Sequence, residues 1–171
     1  RLIHFSTSEV YGKTGGRDGA FSEDASDCIL GPVANHRWIY SCAKQLVDRI
    51  VHAHGLRGDL DYTLIRPFNF VGPLMDWLGE TEEVPRVFAS FVTALMEGRP
   101  LPLVDGGRAR RCFTHIDDAV AALTLILAHP EETRNRIVNI GNPDNETTIA
   151  GLADLVHRLW GETTGRPVPV R

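Results

Sequence analysis

Apolar residues along the chain fall into short unbroken runs that alternate with longer periodic stretches. The run Leu2 to Phe5 reads as a short buried strand bounded by polar residues. A glycine-rich loop follows from Gly12 to Gly19. From Ile39 the period changes: Ala43, Leu46, Val47, Ile50 and Val51 recur at i, i+3, i+4, i+7 and i+8, which predicts one apolar helix face turned to the core, with Gly55 as its stop. Tyr62 to Ile65 predicts a second strand, closed by Arg66-Pro67. Val84, Val87, Phe88, Phe91, Val92 and Leu95 predict a second amphipathic helix ending at Gly98. Leu101 to Val104 reads as a strand running into the turn Asp105-Gly106-Gly107, and Cys112 to Ile116 as another. Asp117 is placed to cap a helix through Ala128, before Pro130. Ile137 to Ile140 is a strand, and Thr148 caps a last helix with the face Ile149, Leu152, Ala153, Val156 and Trp160.

Strands that alternate with helices and read as continuous apolar runs predict an α/β fold, a parallel sheet covered on both faces. Ligands of such sheets sit beyond the carboxyl ends of the strands. Thr7, Ser8 and Glu9 stand at one such end and Asn69 at another. Burying a strand end with two hydroxyls and a carboxylate costs free energy unless each finds a partner. These groups therefore meet either water or a ligand, and the parallel-sheet context favours a ligand cleft.

Composition narrows the classes. The 171 residues are 43% apolar and 23% charged, enough for one globular domain with a sizeable core. A net charge of −4 argues against a nucleic-acid or anionic-membrane partner. No run is long enough to span a membrane and no leader pattern is visible. Cys28, Cys42 and Cys112 are odd in number and scattered, with neither metal spacing nor a disulfide framework, which fits a reducing cytoplasm. The chain opens inside a strand-like run without Met, which predicts a piece of a longer protein.

Tyr40 and Lys44 open the first long helix and, four apart, project from one face. A phenol with pKa about 10 is a poor base at neutral pH. A neighbouring ammonium favours the phenolate and lowers that pKa by roughly 1–3 units. Such a tyrosine can take a proton from an alcohol, which a hydroxyl such as that of Thr7 could orient. Alone, Y-x-x-x-K is more often a surface pair. Downstream of a strand-end T-S-E in a parallel α/β context, it points to chemistry. Other residues carry blander readings. His52 and His54 do not share a helix face, so a metal pair is not expected. His115, Asp117 and Asp118 fit a strand end and a helix cap, and Cys42 fits a small core thiol.

Thr7-Ser8-Glu9-Val10-Tyr11-Gly12, Tyr40-x-x-x-Lys44 and Arg66-Pro67-Phe68-Asn69 together resemble the extended short-chain dehydrogenase/reductases that act on nucleotide sugars. The stretches "GPVANHRWIYSCAKQLVDRIV", "RPFNFVGP", "LVDGGRARRCFTHIDD" and "NIGNPDNETTI" resemble the UDP-glucuronic acid decarboxylase domain of the bifunctional aminoarabinose enzyme. They resemble plant UDP-apiose/UDP-xylose synthase about as well, and "RLIHFS", "VYGKT" and "EEVPRVFASF" lean that way.

The resemblance implies the C-terminal part of a Rossmann-like sheet over residues 1–75 and 110–142, and part of a smaller substrate-binding subdomain over 76–109 and 143–171. It implies NAD as cofactor and a UDP-sugar as substrate. Thr7, Tyr40 and Lys44 match the catalytic triad, with Tyr40, Lys44 and Pro67 also against the cofactor. Ser8 and Glu9 match residues at the sugar ring, the glutamate serving proton transfer. Arg37 and Asn69 match sugar-nucleotide contacts. Leu103, Arg108 and Arg111 lie in the segment that wraps the nucleotide, where guanidinium forks suit phosphate oxygens. A homodimer through the Ile39 to Gly55 helix, and a fused or partner transferase domain, are further implications.

The expected function is NAD-dependent oxidative decarboxylation of UDP-glucuronate to a UDP-4-keto-pentose or UDP-xylose. UDP-apiose/xylose synthase is the nearest alternative. Its branch carries a cysteine where Ser8 stands, which speaks against apiose. A 4-epimerase or 4,6-dehydratase is a broader alternative, and a non-catalytic nucleotide-sugar-binding module belongs to a different class. The chain departs from the family in two ways. It has no G-x-x-G-x-x-G, and Arg171 does not match the family's distal catalytic arginine. The piece by itself is therefore expected to be inactive.

Overall fold

In chain order the elements are β1 (Leu2–Phe5), α1 (Trp38–Leu56), β2 (Tyr62–Pro67), β3 (Phe70–Val71), α2 (Val87–Met96), β4 (Arg110–Cys112), β5 (Thr114–His115), α3 (Ile116–Ala128), β6 (Arg136–Ile140), β7 (Glu146–Thr148) and α4 (Ile149–Thr164). Short 3-10 turns occupy Ser8–Tyr11, Val104–Gly107 and Pro143–Asn145. This computed structural model describes residues 1–13, 20–76 and 86–166. Thr14 to Gly19 of the expected glycine loop, Val84 of the expected second helix and Arg171 lie outside the described residues. The chain divides into two compact units, Arg1–Phe70 with Phe113–Pro143, and Val71–Cys112 with Asp144–Arg171. Among the described residues no helix is long and apolar enough to cross a membrane.

The first unit is built on a parallel sheet in the order β1-β2-β6, with Phe5 opposite Ile65 and Pro67 opposite Ile140. Parallel neighbours need long crossovers, which α1 and α3 supply. β2 is central and its residues Tyr62 to Arg66 are all buried, as its near-continuous apolar sequence predicts. Alternation sends Tyr62 and Leu64 to one face, where they pack with Val51 of α1. Ile65 goes to the other, where it packs with Ile126 of α3 and with Ile140. Burial of one such side chain contributes roughly 1.5–3 kcal/mol.

α1 is turned the other way round from its hydrophobic pattern. The residues it buries are Ser41, Asp48 and Val51. Of the predicted core stripe Val51 goes inward, while Ala43, Leu46, Val47 and Ile50 face outward, with Leu46 60% and Ile50 49% exposed. The reason lies beneath the helix. Its early turns cross the carboxyl end of the sheet, where backbone carbonyls and Arg66 need polar partners. Only at Val51 does it reach the apolar side chains of β2.

Three further expectations are corrected. Gly55 does not stop α1, which runs to Leu56. Gly55 instead lets the helix approach Tyr62, since a Cβ there would lie 2.3 Å from the Tyr62 ring. Leu101 to Val104 is not a strand; Pro102 offers no N–H to a ladder, and the chain enters a 3-10 turn in which Asp105 and Gly106 have φ of 51° and 66°. Asp117 does not cap α3. The helix begins at Ile116, and His115 Nδ1 accepts the Asp117 N–H at 3.3 Å.

In the second unit β4 and β7 pair antiparallel, with Arg110 opposite Thr148. α2 buries Ala89, Phe91, Ala94 and Leu95, and α4 buries Leu152 and Ala153. The Thr148 hydroxyl caps α4 by accepting the Gly151 N–H at 2.9 Å.

Alanine is the better helix former, by about 1 kcal/mol over glycine. At Gly55 the order reverses, because the Tyr62 ring is buried and its hydroxyl is tied to His52 Nδ1 at 2.6 Å, so it cannot step aside. Overpacking costs about 1–3 kcal/mol. Gly55→Ala should therefore lower the midpoint of thermal unfolding, and a midpoint at or above that of the unmodified protein would refute this packing.

Candidate active site

β1 ends where the polar residues begin. The Ser6 N–H donates to the Ile65 carbonyl at 2.8 Å, the last ladder bond. Thr7 is extended, and its hydroxyl oxygen accepts the Glu9 N–H at 3.2 Å, which caps the 3-10 turn Ser8–Tyr11. Val10 and Tyr11 anchor that turn, both fully buried. Thr7 and Ser8 stay half-buried and Glu9 exposed.

The inward face of α1 locks onto this strand end. Lys44 Nζ donates to the Phe5 carbonyl at 2.8 Å. Gln45 Nε2 donates to the Val10 and Cys28 carbonyls at 2.6 and 3.3 Å. The Ser41 hydroxyl lies 3.5 Å from a Glu9 carboxylate oxygen. Tyr40, one turn before Lys44, is 50% exposed. The structure thus brings Lys44 to the strand end that carries Thr7, Ser8 and Glu9, with Tyr40 one turn earlier on the same helix. Cys42 is not a core thiol: it is exposed, away from the face that packs on the turn.

Arg37 directly precedes α1, with its guanidinium 5.0 Å from the Trp38 ring centroid. Pro67 closes β2. Asn69 follows in the left-handed region, φ 42°, and its carbonyl accepts the Thr114 N–H at 3.2 Å. Leu103, Arg108 and Arg111 belong to the second unit. Leu103 is half-buried, Arg108 is exposed and paired with Asp105, and Arg111 is exposed and donates to the Arg110 carbonyl at 2.7 Å. Arg110, which carries no expected role, bonds Glu146 at 2.7 Å.

Beneath Lys44 lies a buried polar network that the sequence pattern conceals. Both Nε and a terminal nitrogen of Arg66 reach Asp48 Oδ2, at 3.4 and 3.1 Å. The same guanidinium lies 4.8 Å from the Tyr11 ring centroid, and the Tyr11 hydroxyl donates to Asn139 Oδ1 at 2.8 Å. Burial opposes the charge on Arg66, but Tyr11 and Asp48 outweigh it and hold its pKa above the usual arginine value. Burial pushes the Tyr11 phenol up, and Arg66 only partly offsets this. Burial also lowers the His4 pKa; the Lys44 ammonium adds to that, and Asp48 works against it. The signal for Asp48 was its place four residues after Lys44 and eight after Tyr40. The signal for Arg66 was its place two after Leu64, on the same face of β2. A cavity of about 180 Å³ beside His52, Tyr62 and Arg136 includes none of the expected site residues.

The "NAD dependent epimerase/dehydratase family" matches residues 1–141. The chain belongs to that family. UDP-D-apiose/UDP-D-xylose synthase 1 of Arabidopsis thaliana is 44% identical to this family member over 182 residues, covering 96% of the chain and 47% of the plant protein. The synthase of Oryza sativa is 43% identical over 184 residues, covering 98% and 46%. Among solved structures, the PbgP3 protein from Burkholderia pseudomallei matches with a TM-score of 0.85 at 40% identity, over 95% of this chain and 48% of that one. The dTDP-glucose 4,6-dehydratase from Bacillus anthracis, in complex with NAD, matches at 0.76 and 27%, over 96% and 47%. The chain spans about half the length of the curated relatives it matches. The parallel α/β sheet is thus the family's Rossmann fold.

The His4 shift has a consequence for stability. Its folded pKa lies below the ordinary value of 6.5, so the unfolded chain binds more protons just below that pH. Stability is complete above the ordinary value and is lost as pH falls through it. Between about pH 7.5 and about pH 5.5 the unfolding midpoint should drop more in the unmodified protein than in His4→Gln. Equal drops in the two would remove His4 from the account.

Proposed function

We propose that the whole protein oxidises C4 of a UDP-sugar with NAD and that the sugar is UDP-glucuronate, which then loses its carboxylate. The observation that carries this reading is the Lys44 Nζ bond to the Phe5 carbonyl, which seats the Tyr40 helix on the T-S-E strand end. The residues present fit the nicotinamide half of a dinucleotide site. An ammonium suited to ribose hydroxyls and a phenol suited to the reacting alcohol both stand at the open carboxyl end of parallel strands.

Tyr40 takes the proton of the C4 hydroxyl as general base. The Thr7 hydroxyl, whose oxygen already accepts the Glu9 N–H, keeps its own proton to donate and so orients the alcohol. Bound NAD supplies the hydride acceptor. The resulting 4-ketone is β to the C6 carboxylate, so carbon dioxide departs and its electron pair passes to an enolate. Glu9, exposed at the turn, manages the proton returned to C5. Arg108 and Arg111 are assigned to the nucleotide diphosphate, and Leu103 to the segment that wraps the nucleotide. Arg108 must then exchange Asp105 for phosphate.

Tyr40→Phe in the whole protein should abolish NADH formation while leaving UDP-sugar affinity within about twofold, since the phenol oxygen serves the reaction more than the binding. NADH at the unmodified rate would show that another group is the base.

A second reading, ring contraction to UDP-apiose, is favoured by the 44% identity to the plant synthase. Ser8 argues for the pyranose. A hydroxyl is a weaker acid than a thiol and less able to share a proton with an opened ring. The product by nuclear magnetic resonance should be UDP-4-keto-pentose or UDP-xylose. Apiose as the major product would move the assignment to the synthase reaction.

The outward stripe of α1, Ile39, Leu46, Val47 and Ile50, supports a homodimer in which this helix meets its copy. A monomer in sedimentation at micromolar concentration would exclude it.

A further inference from the structure

The geometry points to Asp48 as a positioning residue for Tyr40 and Lys44: held by Arg66 through one carboxylate oxygen, it fixes the rotation of α1 on the sheet. The inference rests on the proposed roles of Tyr40 and Lys44.

The geometry is unusual for a purely structural ion pair. A guanidinium fork ordinarily gives one nitrogen to each carboxylate oxygen. Here both Arg66 nitrogens converge on Oδ2, at 3.4 and 3.1 Å. Asp48 Oδ1 is buried with no hydrogen-bond partner, in a side chain only 7% exposed. A buried acceptor left unbonded costs about 1–3 kcal/mol, so it calls for a reason. His4 Nε2, on the same side of the sheet, is likewise buried and unbonded.

Arg66 supplies that reason, since both of its nitrogens commit Asp48 Oδ2 to β2 and leave Oδ1 over. The other titratable groups near the pair are His4 on β1, which feels both Lys44 and Asp48, and Tyr11 on the 3-10 turn, whose ring lies against the guanidinium. Without Asp48, the Arg66 guanidinium is a buried cation with no carboxylate, and α1 loses the tie that sets its rotation above β2. A rotation of α1 lengthens the Lys44 bond to the Phe5 carbonyl and carries Tyr40 out of register with Thr7. Asp48 touches neither sugar nor cofactor in this scheme; it acts only through the seat of α1.

The test uses the whole protein and three variants: Asp48→Asn, Asp48→Glu, and Asp48→Asn combined with Arg66→Gln. The double variant guards against misfolding caused by an unpaired buried guanidinium. Asp48→Asn should lower kcat for NADH formation about 10–100-fold, with the sugar KM within about threefold, and move the acid limb of the rate profile to lower pH. Asp48→Glu should recover most of the rate and the profile. The double variant should fold yet remain slow. The His4 titration, followed by nuclear magnetic resonance, should move to lower pH in both variants that lack the carboxylate. That readout does not need an active enzyme. If the unmodified protein forms no NADH from a UDP-sugar, the reaction reading fails, and the His4 shift still decides whether the Asp48 carboxylate is turned inward toward β1. A folded double variant with the unmodified rate profile, or an unmoved His4 titration, would overturn the proposal.

Discussion

One guanidinium, that of Arg66, joins the helix, the strand and the turn of the first unit. It reaches Asp48 on α1, stands on the end of β2 and lies against the ring of Tyr11. A charge this deeply buried survives only when paired and hydrogen-bonded, and removing one partner costs more than the pair itself contributes. The arrangement therefore holds as a set. Without Asp48, Arg66 is a stranded cation; without Arg66, Asp48 is a buried carboxylate with no cation.

That set divides the unit along its strands. On the α1 face Val51 packs with Tyr62 and Leu64 toward the amino ends, and the other face stays aliphatic along the strands, Ile126 with Ile65 and Ile140. Toward their carboxyl ends the contacts become polar and directional. Tyr11 stacks on Phe21 at 4.5 Å and reaches Asn139 through its hydroxyl. Asn139 in turn donates its N–H to Glu23 and its amide to the Phe21 carbonyl. The segment between the 3-10 turn and α1 is thus tied to β6 by the residues that underlie the site. Folding and site construction share the same bonds at this end of the sheet.

The strands were legible because they are unbroken apolar runs, and β1, β2 and β6 lie within a residue or two of where that pattern puts them. α1 was legible as a helix but not in its rotation. A hydrophobic stripe identifies a face, and only the neighbours decide whether that face goes in. Leu101 to Val104 misled because a short apolar run was read as a strand without weighing Pro102. His115 was hidden as a cap because Asp117 has the better propensity, although the helix begins before it. The Thr7, Ser8, Glu9, Tyr40 and Lys44 cluster could be read from motif spacing. Asp48 could not, since a charged residue inside a helix ordinarily faces water; only Arg66, projecting from the buried strand opposite, marks it as inward.

A helix held by a greasy seam can shift by a turn and still find grease. α1 has no such latitude on its inner side, because Ser41, Lys44, Gln45 and Asp48 each answer a particular atom. Its outer side has the opposite character, broad, oily and indifferent to register. Any loosening of side-chain order therefore strikes the two sides unequally. Water competes at once for the inner bonds, while the outer stripe stays as adhesive as before. The helix can keep its coil and its company yet lose its angle, so competence for chemistry should fade before helicity or association does.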